Sequence, residues 1–209
     1  MQIKYNIIPK LKVRFCLDTY SIEKALEVLE NSGYRCIPVL SDDEKSFKGN
    51  IYAQLIYQAL WRGTADKKEP VTTLLEDTDV FIQERASFFR IFSTIKKYPY
   101  LAVTDELGHF TGILTHANVM GILEDSWGIR KGNHTMTIST QEYQGALSAI
   151  MAKIKDYTSI YSMMTLDNES TFFRRVIITL PKDMAEEKLT QLIRDLEDEG
   201  FRVSDVEQI

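Results

Sequence analysis

Two cysteines, three histidines and no long apolar run are what this 209-residue chain has least of, and each shortage closes a class of function. Cys16 and Cys36 have no second pair and no histidine at metal-ligand spacing, so neither a zinc cage nor a disulfide framework is indicated. Both read as reduced core thiols. His109, His116 and His134 are scattered, and the chain has no G-x-S-x-G, no G-x-x-x-x-G-K-[ST] and no H-E-x-x-H, so no enzymatic activity is expected. The opening "MQIKYNIIPKLKV" lacks an apolar signal core, and no apolar run approaches the roughly 20 residues that span a bilayer. A cytoplasmic protein follows as the expectation. Positive charge is also short: the net charge of -5 argues against broad contact with nucleic acid or an anionic membrane. A small anionic ligand stays possible if local groups meet it.

What is present suits an ordered fold, since apolar residues make up 44% and charged residues 26% of the chain. A repeat organises the first part. Ile22, Ala25, Leu26 and Leu29 fall at i, i+3, i+4 and i+7, the stripe of an amphipathic helix; Gly33 ends it and "CIPVL" follows as a short buried strand. Phe88, Ile91, Phe92 and Ile95 repeat the stripe, with "YLAVT" as the strand. A polar turn, a second strand ("NIYA", "GILT") and a second apolar helix ("QLIYQAL", "HANVMGIL") follow each time, and Gly49 and Gly112 open the second strands at matching places. The unit of helix, strand, strand, helix thus recurs about 65 residues on.

After residue 132 the pattern changes. "TMTIST" alternates as a strand, and Leu147, Ile150, Met151 and Ile154 make a helical stripe. "SIYSMMTL" and "FRRVIITL", joined by the turn "DNES", read as a hairpin. Leu189, Leu192, Ile193 and Leu196 form a last stripe, stopped by Gly200, before the strand-like "FRVSDVEQI". The order is βαββαβ, an antiparallel sheet with helices on one face. A boundary is expected near "WGIRKGN".

The turn in "GILTHANV" admits two readings. Thr115 can be an N-cap, its hydroxyl accepting a backbone N–H one turn on. A reciprocal capping box wants Glu or Gln at the third helical position, and Asn118 looks too short to reach back. Alternatively the turn holds an anion, because free N–H groups and the positive end of a helix favour one there.

A tandem helix–strand–strand–helix unit with "GYRCIPVL" in the first copy and "GILTHAN" in the second resembles the CBS pair, or Bateman module, over roughly residues 9 to 128. The C-terminal part is similar to an ACT domain in topology. CBS–ACT chains of this kind resemble bacterial proteins associated with acetoin utilisation. "IIPKLKV" with "SGYRCIPVL" is similar to small Gram-positive CBS-pair proteins that bind cyclic di-AMP, a likeness good mainly over the first repeat. The expected fold class is α+β: a CBS pair over 1–130 (first repeat about 9–62, second about 71–127), then a βαββαβ ferredoxin-like, ACT-like domain over 133–209.

The resemblance assigns roles. Thr115 takes the phosphate role and Asn118 the ribose role of the family's G-h-x-[T/S]-x-x-[D/N] turn; the first copy has Tyr52 and Leu55 at those places, so one of the two clefts is expected to be altered or lost. Tyr34, Arg35, Cys36, Ile37 and Pro38 become base contacts, with plain core packing the competing reading for the apolar ones. Tyr98, Tyr100 and Leu101 stand where the second copy would line a base, with stacking and core-edge packing equally open for the tyrosines. Lys12 and Arg14, at alternate positions of an expected extended segment, would face the phosphates, His116 would donate to one, and Arg130 and Lys131 would close over the site. Trp61 and Trp127 suit an interface. Gly145 matches the glycine of effector-binding ACT turns, but "TQEYQ" before it lacks the usual Asp and Pro, which favours dimerisation there.

The function these features imply is a nucleotide-sensing regulator: a homodimer that binds cyclic di-AMP in the CBS-pair cleft and signals to a partner protein, with no cofactor or metal. The alternatives are an AMP- or ATP-sensing CBS protein, an amino-acid-responsive ACT regulator, and an adaptor without ligand.

Overall fold

A computed structural model describes residues 6–141, 145–167 and 173–209; the expected turn "DNES", beyond Asp167, and most of "TQEYQ" lie outside them. The chain divides into two compact units, Met1–Met120 and Gly121–Ile209.

The first unit holds two copies of one motif, the last helix of the second copy running on past Met120. In the first copy β2 (Cys16–Leu17) leads into α1 (Ile22–Ser32), β3 (Cys36–Leu40), β4 (Phe47–Tyr52) and α2 (Ala53–Arg62); in the second, β5 (Phe81–Gln83) leads into α3 (Phe88–Ile95), β6 (Tyr100–Thr104), β7 (Phe110–Thr115) and α4 (His116–Ser126). Ser21 and Ser87 cap α1 and α3 by accepting the N–H of Lys24 and of Arg90. Gly33 stops α1 in the left-handed conformation at φ 70°. The expected stripes face inward: Ile22, Ala25 and Leu29 are buried in one cluster, and Ile91 and Ile95 in another.

β2 runs parallel to β3, and β5 to β6. The hairpin partners match across the copies: Cys36 opposes Tyr52 as Tyr100 opposes Thr115, and Val39 opposes Gly49 as Val103 opposes Gly112. Between the copies a shared cluster joins Val13, Leu40, Ala102 and Phe110, and the rings of Phe47 and Phe110 stack at 6.4 Å.

The N-terminal segment is not the extended strand expected around Lys12 and Arg14. It makes a two-residue strand, β1 (Ile8–Pro9), against β7, then a 3-10 turn over Lys10–Lys12. Gly112 is required at the crossing, because a Cβ there would collide with the Ile8 carbonyl.

The second unit is β8 (Gly132–Gln141), α5 (Ala146–Lys155), β9 (Ser162–Asp167), β10 (Phe173–Pro181), α6 (Glu186–Asp198) and β11 (Arg202–Gln208). Its antiparallel sheet has the order β11-β8-β10-β9, the ferredoxin-like arrangement. Met136, Ile138, Val176, Ile178 and Leu180 meet Ile150, Ile154, Leu192 and Leu196 in its core. Met151 departs from the expected stripe: it is 45% exposed, and Ala146 is buried instead. The fold class is α+β, as its sequence pattern implies. No helix among the described residues is long and apolar enough to cross a membrane.

Candidate functional site

The first unit encloses a cavity of about 280 Å³. One wall is the chain that leaves α1: Gly33 turns it, and Tyr34, Arg35, Cys36, Ile37 and Pro38 enter β3 along the cavity. The opposite wall comes from the second copy, where Pro99, Tyr100, Ile113 and Thr115 meet it from β6 and β7. The lead segment covers the third side with Ile8, Lys12, Val13 and Arg14.

Charge on this cavity runs against the charge of the chain. Lys12, Arg14 and Arg35 are exposed on its rim, and none of them makes an ion pair among the described residues. Lys10, in the same turn, is instead committed to the carboxylate and carbonyl of Glu44. The walls behind the three cations are aliphatic, proline and tyrosine. An apolar slot with cations at its mouth suits a flat, partly apolar ligand that carries anionic groups.

From Cys36 and Tyr100 in the cavity wall a chain of hydrogen bonds runs inward. Cys36 Sγ lies 3.7 Å from Tyr100 Oη, and Tyr100 Oη donates to Asn50 Oδ1 at 2.6 Å. Asn50, only 1% exposed, donates from Nδ2 to Asp77 Oδ2 at 3.2 Å, and Tyr52 Oη donates to the same oxygen at 2.5 Å. Burial pushes the Cys36 thiol up to about 11, against a smaller opposing effect of its hydrogen bond to Tyr100. Burial likewise raises Tyr100 and Tyr52 above the ordinary phenol range, Tyr52 further through its bond to Asp77, so both stay protonated donors at neutral pH.

At the mouth of α4, Thr115 and Asn118 form the reciprocal cap that looked too long for asparagine. Thr115 N–H donates to Asn118 Oδ1 at 3.0 Å, Asn118 N–H donates to Thr115 Oγ1 at 3.3 Å, and Thr115 Oγ1 donates to Asn118 Oδ1 at 2.6 Å. Capping therefore occupies both side chains, while the N–H groups of His116 and Ala117 start the helix without helical partners.

Of the expected contacts, Lys12, Arg14, Tyr34, Arg35, Cys36, Ile37, Pro38, Tyr100 and Thr115 are brought together on the cavity. Others are not. Leu101 is fully buried and Tyr98 half-buried in the core of the second copy, so neither lines the cavity. Asn118 serves the cap. His116 is exposed, with Nδ1 3.3 Å from the Pro99 carbonyl. Arg130 and Lys131 belong to the second unit, where Arg130 pairs with Glu124 and Asp125. Trp61 is 92% exposed at the end of α2. Ile8, Val13, Pro99 and Ile113 line the cavity unforeseen. The one sequence signal for them was the glycine at 112, which admits the lead segment against β7. Among the described residues no group of three or more His, Cys, Asp and Glu is placed to hold a metal ion.

Residues 8–61 match the CBS domain family. No curated protein matches the sequence significantly. Among solved structures, the CbpB protein of Listeria monocytogenes in complex with c-di-AMP is 25% identical, with a TM-score of 0.53 over 58% of this chain and 94% of its own. Another CbpB in complex with c-di-AMP is 21% identical, with a TM-score of 0.54 over 59% of this chain and 85% of its own. A CBS domain pair/ACT domain protein of Thermotoga maritima is 15% identical, with a TM-score of 0.50 over 59% of this chain and 96% of its own. The family match thus falls on the first copy, and over the part of the chain covered the fold is that of CBS-pair proteins.

Proposed function

We propose that this chain is a nucleotide-sensing regulatory protein whose cavity takes an adenine nucleotide, cyclic di-AMP before others. The observation that carries the reading is the set of three cations, Lys12, Arg14 and Arg35, without ion-pair partners among the described residues, around an apolar, tyrosine-bearing cavity in a chain of net charge -5. Two phosphates need more positive charge than one helix end supplies, and the three cations at the mouth of the cavity supply it. The start of α4 adds N–H groups at the Thr115 side. The likeness to two CbpB proteins crystallised with c-di-AMP supports cyclic di-AMP as the first choice.

The cavity size favours a second reading. About 280 Å³ is near the low end of the roughly 300–1,000 Å³ of small-molecule pockets, which suits a mononucleotide such as AMP. In either case the chain acts as a regulator: the ligand shifts it between states that differ in affinity for a partner protein, and a homodimer is the assembly expected from the CBS and ACT resemblance. Calorimetry of the purified chain against cyclic di-AMP, AMP, ATP and S-adenosylmethionine tests both readings. Cyclic di-AMP is expected to bind most tightly. Tighter binding of AMP transfers the assignment to the mononucleotide, and no heat with any of the four removes the nucleotide reading.

A further inference from the structure

The matched registers of the two copies make the first unit quasi-symmetric, and the symmetry is broken in one place. The segments leading to β2 and β5 dock on opposite copies in the same manner: Ile8 lies opposite Ile113, and Glu76 lies opposite Asn50. Glycine stands at both crossings, since a Cβ on Gly49 would come within 2.9 Å of the Glu76 carbonyl just as one on Gly112 would strike Ile8. The docked segments have opposite charge. The first carries Lys10, Lys12 and Arg14; the second carries Glu76, Asp77 and Asp79. Where Thr115 opens α4, Tyr52 opens α2 and sends its hydroxyl to Asp77.

Asp77 touches both copies: it holds Tyr52 directly and reaches Tyr100 through Asn50. A carboxylate only accepts, so Asp77 fixes the buried Asn50 amide with its NH2 toward Asp77 and its oxygen toward Tyr100. That oxygen then holds the Tyr100 hydroxyl as a donor, and the ring of Tyr100 stands in the cavity wall. We infer that Asp77 is a positioning residue: it closes the quasi-equivalent cleft on Tyr52 and, through Asn50, fixes Tyr100 in the open one, so that each chain takes a single nucleotide. The inference rests on the adenine-nucleotide reading above. A second phosphate at the closed cleft would meet the segment that carries Glu76, Asp77 and Asp79, where the open one has the segment of Lys10, Lys12 and Arg14, and like charges repel.

The test is calorimetry of the full chain with cyclic di-AMP at a temperature where each variant is folded. Asp77 has a positive φ of 55°, so Asp77→Gly removes the carboxylate without adding backbone strain, while Asp77→Asn keeps an acceptor of the same size. No more than one ligand per wild-type chain is expected. Asp77→Gly should lose about tenfold in affinity and Asp77→Asn less than about threefold, and in a Tyr100→Phe background the loss from Asp77→Gly should vanish, because the link it acts through is already cut. Should Asp77→Gly fail to fold, Tyr100→Phe alone keeps the ring and deletes the hydroxyl, and a several-fold loss is expected. Two ligands per chain, unchanged affinity in Asp77→Gly or in Tyr100→Phe, or an undiminished loss in the double variant each overturns the inference and leaves the nucleotide reading intact. No binding by the wild type overturns both.

Discussion

Thr115 and Asn118 cap each other, the backbone N–H of each donating to the side-chain oxygen of the other at 3.0 and 3.3 Å. The Thr115 hydroxyl hydrogen is also spent, on Asn118 Oδ1 at 2.6 Å, so Thr115 serves a ligand chiefly by holding the first turn of α4 in place. Thr115→Val and Asn118→Ala are therefore expected to cost about 1 kcal/mol of stability each, read by urea denaturation. They should weaken nucleotide binding to a similar degree, and the double variant should lose little more than either single one. A much larger affinity loss for Thr115→Val than for Asn118→Ala would instead place the hydroxyl on the phosphate.

Gly112→Ala tests the docking of the lead segment. The added methyl meets the carbonyl carbon and oxygen of Ile8 and the Cα of Pro9, which are backbone atoms and cannot swing aside. The segment must move away from β7, and Lys12 and Arg14 move with it. Overpacking against backbone costs typically 1–3 kcal/mol, so a loss of about 2 kcal/mol is expected in thermal or urea unfolding, together with weaker nucleotide binding. A variant as stable as the parent would refute the close approach.

Much of the fold was legible because its signals are local. The helical stripes, the closing glycines and the matched Gly49 and Gly112 show the repeat, and the change of period after residue 132 shows the second unit. The short strands β1, β2 and β5 were not legible: two or three residues carry no periodicity, and their pairing is decided by partners far along the chain. The same holds for the site. Nine expected residues meet on the cavity because the family resemblance of the lead segment, the strands and the turn names them, whereas the hydrogen bond between Tyr100 and Asn50, fifty residues apart, is made only by the packing of the two copies. Leu101 was misplaced because alternate residues of a strand face opposite ways, and Tyr100 already occupies the cavity side.

Cys36 reports on the cavity. Burial raises its thiol to about 11 from the ordinary 9.0, so below pH 9 its thiolate fraction is about a hundredfold smaller than that of a free cysteine. Alkylation by iodoacetamide at pH 8 should be slower in the native chain than in urea by about that factor, and should gain tenfold per pH unit up to about 11. The native state holds this proton more tightly than the unfolded one, so its contribution to stability is full below 9 and is lost as pH rises through 11. Bound nucleotide should slow the reaction further; native and unfolded rates that agree would contradict the burial.

The three rim cations make the sharpest claim about the ligand, because they separate electrostatic recognition from shape. Lys12, Arg14 and Arg35 are exposed and make no ion pair among the described residues, so their removal breaks no internal partnership. Lys12→Ala, Arg14→Ala and Arg35→Ala should each leave the unfolding midpoint nearly unchanged and lower nucleotide affinity by about tenfold, the worth of one charge-assisted hydrogen bond. Raising the salt concentration from 0.1 to 1 M shortens the screening length from about 10 to about 3 Å, so wild-type affinity should fall with salt, and each variant should fall less steeply. Adenosine, which has the base and ribose but no phosphate, should bind weakly and without salt dependence. Equal affinity of the variants for cyclic di-AMP, or a salt-independent wild type, would mean that the anion sits away from these side chains and that the cavity recognises its ligand by its apolar walls alone.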